Sequence, residues 1–319
     1  MCNEEVCKKQ CHKSKIGGQA LIEGVMMRGI DTASMSVRLG NGEIETETWS
    51  VPSYKERKWY MKTPIVRGIF NLIESMVTGY KCLMKSADKV ELEDEDDGEP
   101  GKFEAWLMRT CGDKLMKIIS VVAMVFGVAI AVALFMFLPS LITMGIGKLV
   151  TLGWTKTLVE GIVKIVLFVG YLAAVSRMKE IKRVFGYHGA EHKSIACYEA
   201  GEELTVENVR KHTRFHPRCG TSFLLISLII SIIVFSVVTW SNLYIRVALK
   251  IVLLPLVIGF AYELIKLAGR HDNLFTKIIS APGLWLQRLT TNEPDDSQIE
   301  VGIAALTAVI PEDIADDQW

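Results

Sequence analysis

The strongest constraint on this chain is the segregation of its charges. No Asp, Glu, Lys or Arg occurs from residue 118 to residue 147. A helix needs roughly 20 consecutive apolar residues to cross a bilayer, so a first span is expected over 118–138. Further apolar runs cover 158–176, 222–240 and 247–267, with dense polar blocks between them. This alternation is the pattern of a polytopic α-helical membrane protein with about four transmembrane helices. Pro139 is expected to end or kink the first span, and Trp240 suits an interfacial belt. Glu160 and Lys164 stand four apart and are expected to pair on one face near the outer end of the second span. Lys250 is expected to snorkel outward from the start of the fourth. The net charge is zero, so no global field points to nucleic acid, and none is expected as a partner.

Loop charges set the expected orientation. The 177–218 stretch carries Arg177, Lys179, Lys182, Arg183, Lys193, Arg210, Lys211, Arg214 and Arg218. The loops at 144–157 and 241–250 are poorer in basic residues. By the positive-inside rule the central loop and both termini are cytoplasmic. The polar start, with no apolar h-region after it, predicts no cleavable signal.

The remaining segments read as follows. Residues 1–15 form a mobile tail. Its Cys2, Cys7, Cys11 and His12 match no zinc-site spacing, and the odd total of seven cysteines suggests no disulfide framework. Residues 16–90 read as a small N-terminal cytoplasmic α+β region. Its glycine-punctuated run from Ile16 to Gly29 is expected to be a strand flanked by tight turns. A hairpin follows, with arms at 35–39 and 43–49 around Gly40-Asn41-Gly42. An amphipathic helix at 64–85 places Ile65, Ile69, Leu72, Ile73, Met76 and Tyr80 at helical spacing, to lie on the bilayer or on the β part. Residues 91–101 form an acidic linker. Residues 102–288 form the four-span domain, including a His-rich loop at 177–221. Residues 289–319 form a C-terminal amphipathic helix and tail, with Ser297-Gln298-Ile299-Glu300 as its capping box.

Four of the six histidines, His188, His192, His212 and His216, fall in the central loop. His188-x-x-Glu191-His192 has the H-x-x-E-H form. On a helix the three side chains share a narrow arc, so two imidazoles can bind one zinc while Glu191 serves as general base. A catalytic zinc keeps one open position and takes a third protein ligand. The leading candidates are Glu263, an ionisable residue inside an apolar run, and His216. Accessory candidates are His212, Cys219 and His271, all brought by topology to the cytoplasmic face. Arg214 and Arg218 belong to a basic cluster that reads equally as a face against anionic lipid headgroups and as a pocket for an anionic head. A histidine-box di-iron oxygenase ranks below a single-metal site, because few histidines are available.

Four strings carry a family resemblance: the Ile16–Gly29 run, Tyr187-His188-Gly189-Ala190-Glu191-His192-Lys193, His216-Pro217-Arg218-Cys219-Gly220-Thr221-Ser222-Phe223, and Leu289-Thr290-Thr291-Asn292-Glu293-Pro294-Asp295-Asp296. Over about residues 15 to 310 the chain resembles the YqhQ-like family of bacterial membrane proteins, a domain-of-unknown-function family. The resemblance implies an integral membrane protein of the bacterial inner membrane and a metal-dependent enzyme with no settled reaction. The resulting expectation is a zinc-dependent hydrolase at the cytoplasmic face. Its partners would be membrane lipids and an amphiphilic substrate with an anionic head. The rivals are a non-enzymatic scaffold or assembly factor, and a transporter subunit built as a homo-oligomer.

Overall fold

The computed structural model describes residues 12–52, 58–94, 119, 122–238, 242–270, 273–313 and 317. Of the expected linker at 91–101, residues 91–94 are helical and 95–101 lie outside these residues, as do the tail cysteines, Trp240 and His271. The chain divides into two compact units. One takes residues 1–93, 171–227 and 255–319, and the other takes 94–170 and 228–254.

The first unit is built on a four-stranded antiparallel meander: β1 (Gly17–Leu21), β2 (Gly24–Arg28), β3 (Thr32–Arg38) and β4 (Ile44–Ser50). The Ile16–Gly29 run is therefore two strands rather than one. Glu23 makes the turn between them at φ 49, a left-handed conformation uncommon outside glycine. Gly24 pairs with Val37 and Arg28 with Ala33, while Arg38 pairs with Ile44 across the expected hairpin. Both sheet faces are covered, which explains why β2 is buried at four successive positions. Val25 and Met27 face Tyr187, Ile195, Val301, Ala305 and Leu306. Leu21, Met26, Met35 and Val37 face Cys82. Burial of side chains of this size contributes roughly 1.5–3 kcal/mol each.

The helices on the first face are α4 (Lys179–Glu199) and α9 (Asp296–Thr307). The helix on the second is α1 (Val66–Asp94). α1 thus packs on the sheet, where Lys85 pairs with Glu47 and Lys89 with Glu45 and Glu47. It still exposes Ile73, Met76, Val77, Tyr80 and Met84. The α9 cap differs from the expected one. Asp295 accepts from Gln298 N–H and Gln298 reaches back to Asp295, so the helix begins before Ser297. A short α5 (Val206–Lys211) packs Val209 on Cys197 and Ile299. α8 (Leu274–Thr290) opens on a capping box of Asn273 and Thr276.

Among the described residues three helices are long and apolar enough to cross a membrane. They are α2 (Val122–Leu149), α3 (Lys156–Val175) and the Leu243–Ala268 part of α7 (Leu243–Arg270). The run expected as a third span forms a shorter helix, α6 (Gly220–Phe235). Pro139 does not end α2. A π turn at Ala133–Phe137 absorbs the missing N–H, and the helix continues beyond it. In the second unit Glu160 bonds to Ser140, Lys250 and Arg246 rather than to Lys164. Lys250 is buried there instead of snorkelling, because a carboxylate partner stands within reach.

Candidate metal centre

Two glycines in α4 weaken its helix propensity by about 1 kcal/mol each, yet the helix is continuous. Both are needed for contact. A Cβ at Gly189 would overlap the carbonyl of Asn292, and one at Gly186 would meet the side-chain amide of Gln298. The 292–298 segment therefore lies directly on α4. Asn292 N–H donates to the carbonyl of Phe185 at 2.8 Å. Glu23 fixes the other side of the helix, accepting from Arg183 and from the Tyr187 hydroxyl at 3.0 Å. Burial pushes the Tyr187 phenol well up, and the Glu23 charge adds to this.

His188, Glu191 and His192 project together from this helix. The His188 and His192 ring centroids are 4.4 Å apart. His188 Nδ1 is 2.8 Å from the carbonyl of Thr290, and His192 Nδ1 is 2.6 Å from that of Arg214. A carbonyl can only accept, so each Nδ1 carries the proton and each Nε2 keeps a lone pair in the neutral ring. This second contact is the one that orients metal-binding histidines. His188 Nε2 lies 3.1 Å from Cys219 Sγ. The ligand atoms of His188, His192 and Cys219 all lie within 4.8 Å of one another. His192 Nε2 is buried without a hydrogen-bond partner among the described residues.

Glu191 is buried, and its Oε2 likewise has no partner among them. Burial pushes its carboxyl up to about 7, against the opposing pull of His188 and a hydrogen bond from the Gly18 N–H. Gly18 has to be glycine for this approach, since a Cβ would stand 2.9 Å from the Glu191 carboxyl carbon and 2.6 Å from the Met26 carbonyl. The β1 segment thus covers the Glu191 side of the cluster.

The other candidates fall as follows. His216 is adjacent, its ring centroid 5.5 Å from that of His192, but its Nε2 is engaged by Arg218 at 3.1 Å. Burial holds the His216 imidazole well below its ordinary value, so it is neutral. Gln287 clasps the His216 backbone, accepting its N–H at 2.8 Å and donating to its carbonyl at 2.7 Å. Glu263 is not brought to the histidines. Arg67 binds it bidentately, and Ile65 N–H donates to it at 3.2 Å. His212 sits 3.2 Å from Glu202, in a separate group with Cys197. The basic cluster is tied to carboxylates of the same unit. Arg218 pairs with Glu199, Arg210 with Asp296, and Lys193 and Arg214 with Glu293. Sequence spacing missed Gln287 and the Thr290 and Arg214 carbonyls. Main-chain acceptors leave no residue-type signal, and Gln287 lies 71 positions from His216.

The profile of a family described as "Protein of unknown function (DUF1385)" matches residues 63–312. The chain is also 34% identical over 300 residues to the "Uncharacterized protein YqhQ" of Bacillus subtilis (strain 168), covering 92% of each chain. No solved structure matches.

Proposed function

The chain belongs to this family of unknown function, and we propose that it is a membrane-embedded, metal-dependent hydrolase acting at the cytoplasmic face. The observation that carries the reading is the pair of histidines with both Nδ1 groups held by carbonyls, His188 Nε2 at 3.1 Å from the Cys219 sulfur, and the ligand atoms of all three residues within 4.8 Å of one another. One cysteine and two histidines form a donor set suited to zinc, with a fourth position left for substrate or water. A metal held there would supply a Lewis acid and lower the pKa of a bound water. Glu191 would hold and move the proton, its carboxyl poised at about 7 by burial. The three long apolar helices support a multi-pass bilayer protein. On this reading α6 would be a fourth, shorter crossing, and the basic 177–218 stretch supports a cytoplasmic site with both termini on the same side. The apolar rows exposed on α1 and α8 suit a substrate that arrives along the bilayer.

The experiment is metal analysis of detergent-purified protein lacking residues 1–11, beside H188A/H192A and C219S variants. About one metal per chain, lost in the double variant, is the expected result. Cobalt loading should add a thiolate charge-transfer band that C219S removes. Equal metal in all three proteins sinks the reading. A second reading rests on the 3.1 Å contact between Cys219 Sγ and His188 Nε2, the geometry of a thiol–imidazole nucleophile. Under it, metal-free protein would react rapidly with iodoacetamide at Cys219, and metal loading would inhibit rather than activate.

A further inference from the structure

A second polar centre lies in the unit formed by residues 94–170 and 228–254. Glu160, Lys164, Arg246 and Lys250 are each at most 6% exposed, within helices long and apolar enough to cross a membrane. Three cations face one carboxylate. Glu160 bonds to Arg246 and Lys250 and accepts from the Ser140 hydroxyl at 2.6 Å. Lys164 has no hydrogen-bond or ion-pair partner among the described residues. Its Nζ stands 5.0 Å from the centroid of the Phe235 ring, a contact that attracts a cation without neutralising it. Arg246 Nε is buried and also unpartnered among them.

Charge is expensive to bury unless matched. One carboxylate offsets one of the three cations, so the described side chains leave a surplus of positive charge. Beside it lies a cavity of about 10 Å³, lined by Thr157, Glu160, Lys164, Ser231, Phe235 and Lys250. That space holds about one oxygen-sized atom. Counting 1.5 Å per residue, Lys164 and Lys250 stand within about 12 Å of the starts of their helices. In a bilayer this is the depth of the headgroups and the first acyl carbons.

We infer that this centre binds an anionic phosphate group, one oxygen entering the cavity against Lys164 while the body of the group stays outside. It is a binding site independent of the His188 centre. The group has two sources, the headgroup of an anionic phospholipid or free phosphate.

The test uses the full chain in detergent, with dihexanoyl phosphatidylglycerol, dihexanoyl phosphatidylcholine and inorganic phosphate as ligands. Binding is read by calorimetry and by the shift in Tm. Phosphatidylglycerol, or inorganic phosphate, should bind and raise Tm, and phosphatidylcholine should not. Binding of the lipid alone identifies the headgroup as the source, whereas binding of inorganic phosphate at similar concentration identifies the free ion. Lys164→Met should weaken binding about tenfold or more, the loss of one charge-assisted contact. Its unliganded Tm should equal or exceed that of the parent, because an uncompensated buried charge is gone. Lys164→Gln carries the same expectation and covers a failure of the methionine variant to fold. The inference is overturned if no phosphate compound binds, if phosphatidylcholine binds as well as phosphatidylglycerol, or if both neutral variants bind like the parent.

Discussion

Glu191 shows how one side chain can carry two demands. Its carboxyl accepts from Gly18 on one side and presents on the other an oxygen with no partner among the described residues. Glu191→Gln keeps an acceptor for Gly18, so metal content and Tm should stay near the parent values while turnover is lost. His192→Ala should instead lose the metal, and plasma emission spectrometry on the two purified variants separates the roles. Asp295 offers a pH test away from the centre. Burial raises its carboxyl, but hydrogen bonds from Ser297 and Gln298 and the nearby Arg183 bring it below its ordinary value overall. A depressed carboxyl contributes stability that is present above its unfolded pKa and is lost as pH falls through the folded one. Melting curves from pH 6 downward should therefore fall more steeply for the parent than for Asp295→Asn, which keeps the cap without the charge. Asp295→Ala should cost about 1 kcal/mol at neutral pH.

At the scale of elements, α4 is held by close approach rather than by propensity. Gly189→Ala improves helix propensity by about 1 kcal/mol and should still destabilise, by roughly 1–3 kcal/mol, because the new methyl meets the Asn292 main chain. Chemical denaturation reads the sign directly, and a more stable variant would show that the 292–298 segment does not pack there. Much of this element was legible beforehand. The spacing of His188, Glu191 and His192 placed them on one face, and the alternation around Gly40-Asn41-Gly42 marked the β3–β4 hairpin. Spacing could not show that Gly186 and Gly189 strengthen the assembly, since that depends on a segment a hundred residues away. Glu263 was misleading for a related reason. Its cost in an apolar run is met by Arg67, 196 positions earlier, and local sequence holds no trace of that partner. Cys219 stands only among the accessory candidates, because nothing in its local sequence shows that the chain brings its sulfur to His188.

Across the whole molecule, the unit that holds the histidines is assembled from three separated stretches of chain. Its last stretch supplies the Thr290 carbonyl that orients His188, and α9, which covers the sheet. Truncation after residue 288 should abolish metal binding and expose the sheet face to hydrophobic dyes. The long apolar helices should keep their far-ultraviolet dichroism. Retention of metal by the truncated chain would place the centre elsewhere. The ends of the described chain also meet, with Lys15 N–H donating to the Asp317 carbonyl at 2.9 Å and Arg218 donating to the Ser14 carbonyl at 2.9 Å. This interleaving has a consequence in time. During synthesis β1–β4 and α1 emerge first, and α4 emerges long before the segment that must lie on it. The Thr290 contact on His188 can therefore form only after that later segment has left the ribosome. On the metal reading proposed above, full chelation would need α9 and the segment before it in place, so a copy terminated ahead of them would compete poorly for scarce metal.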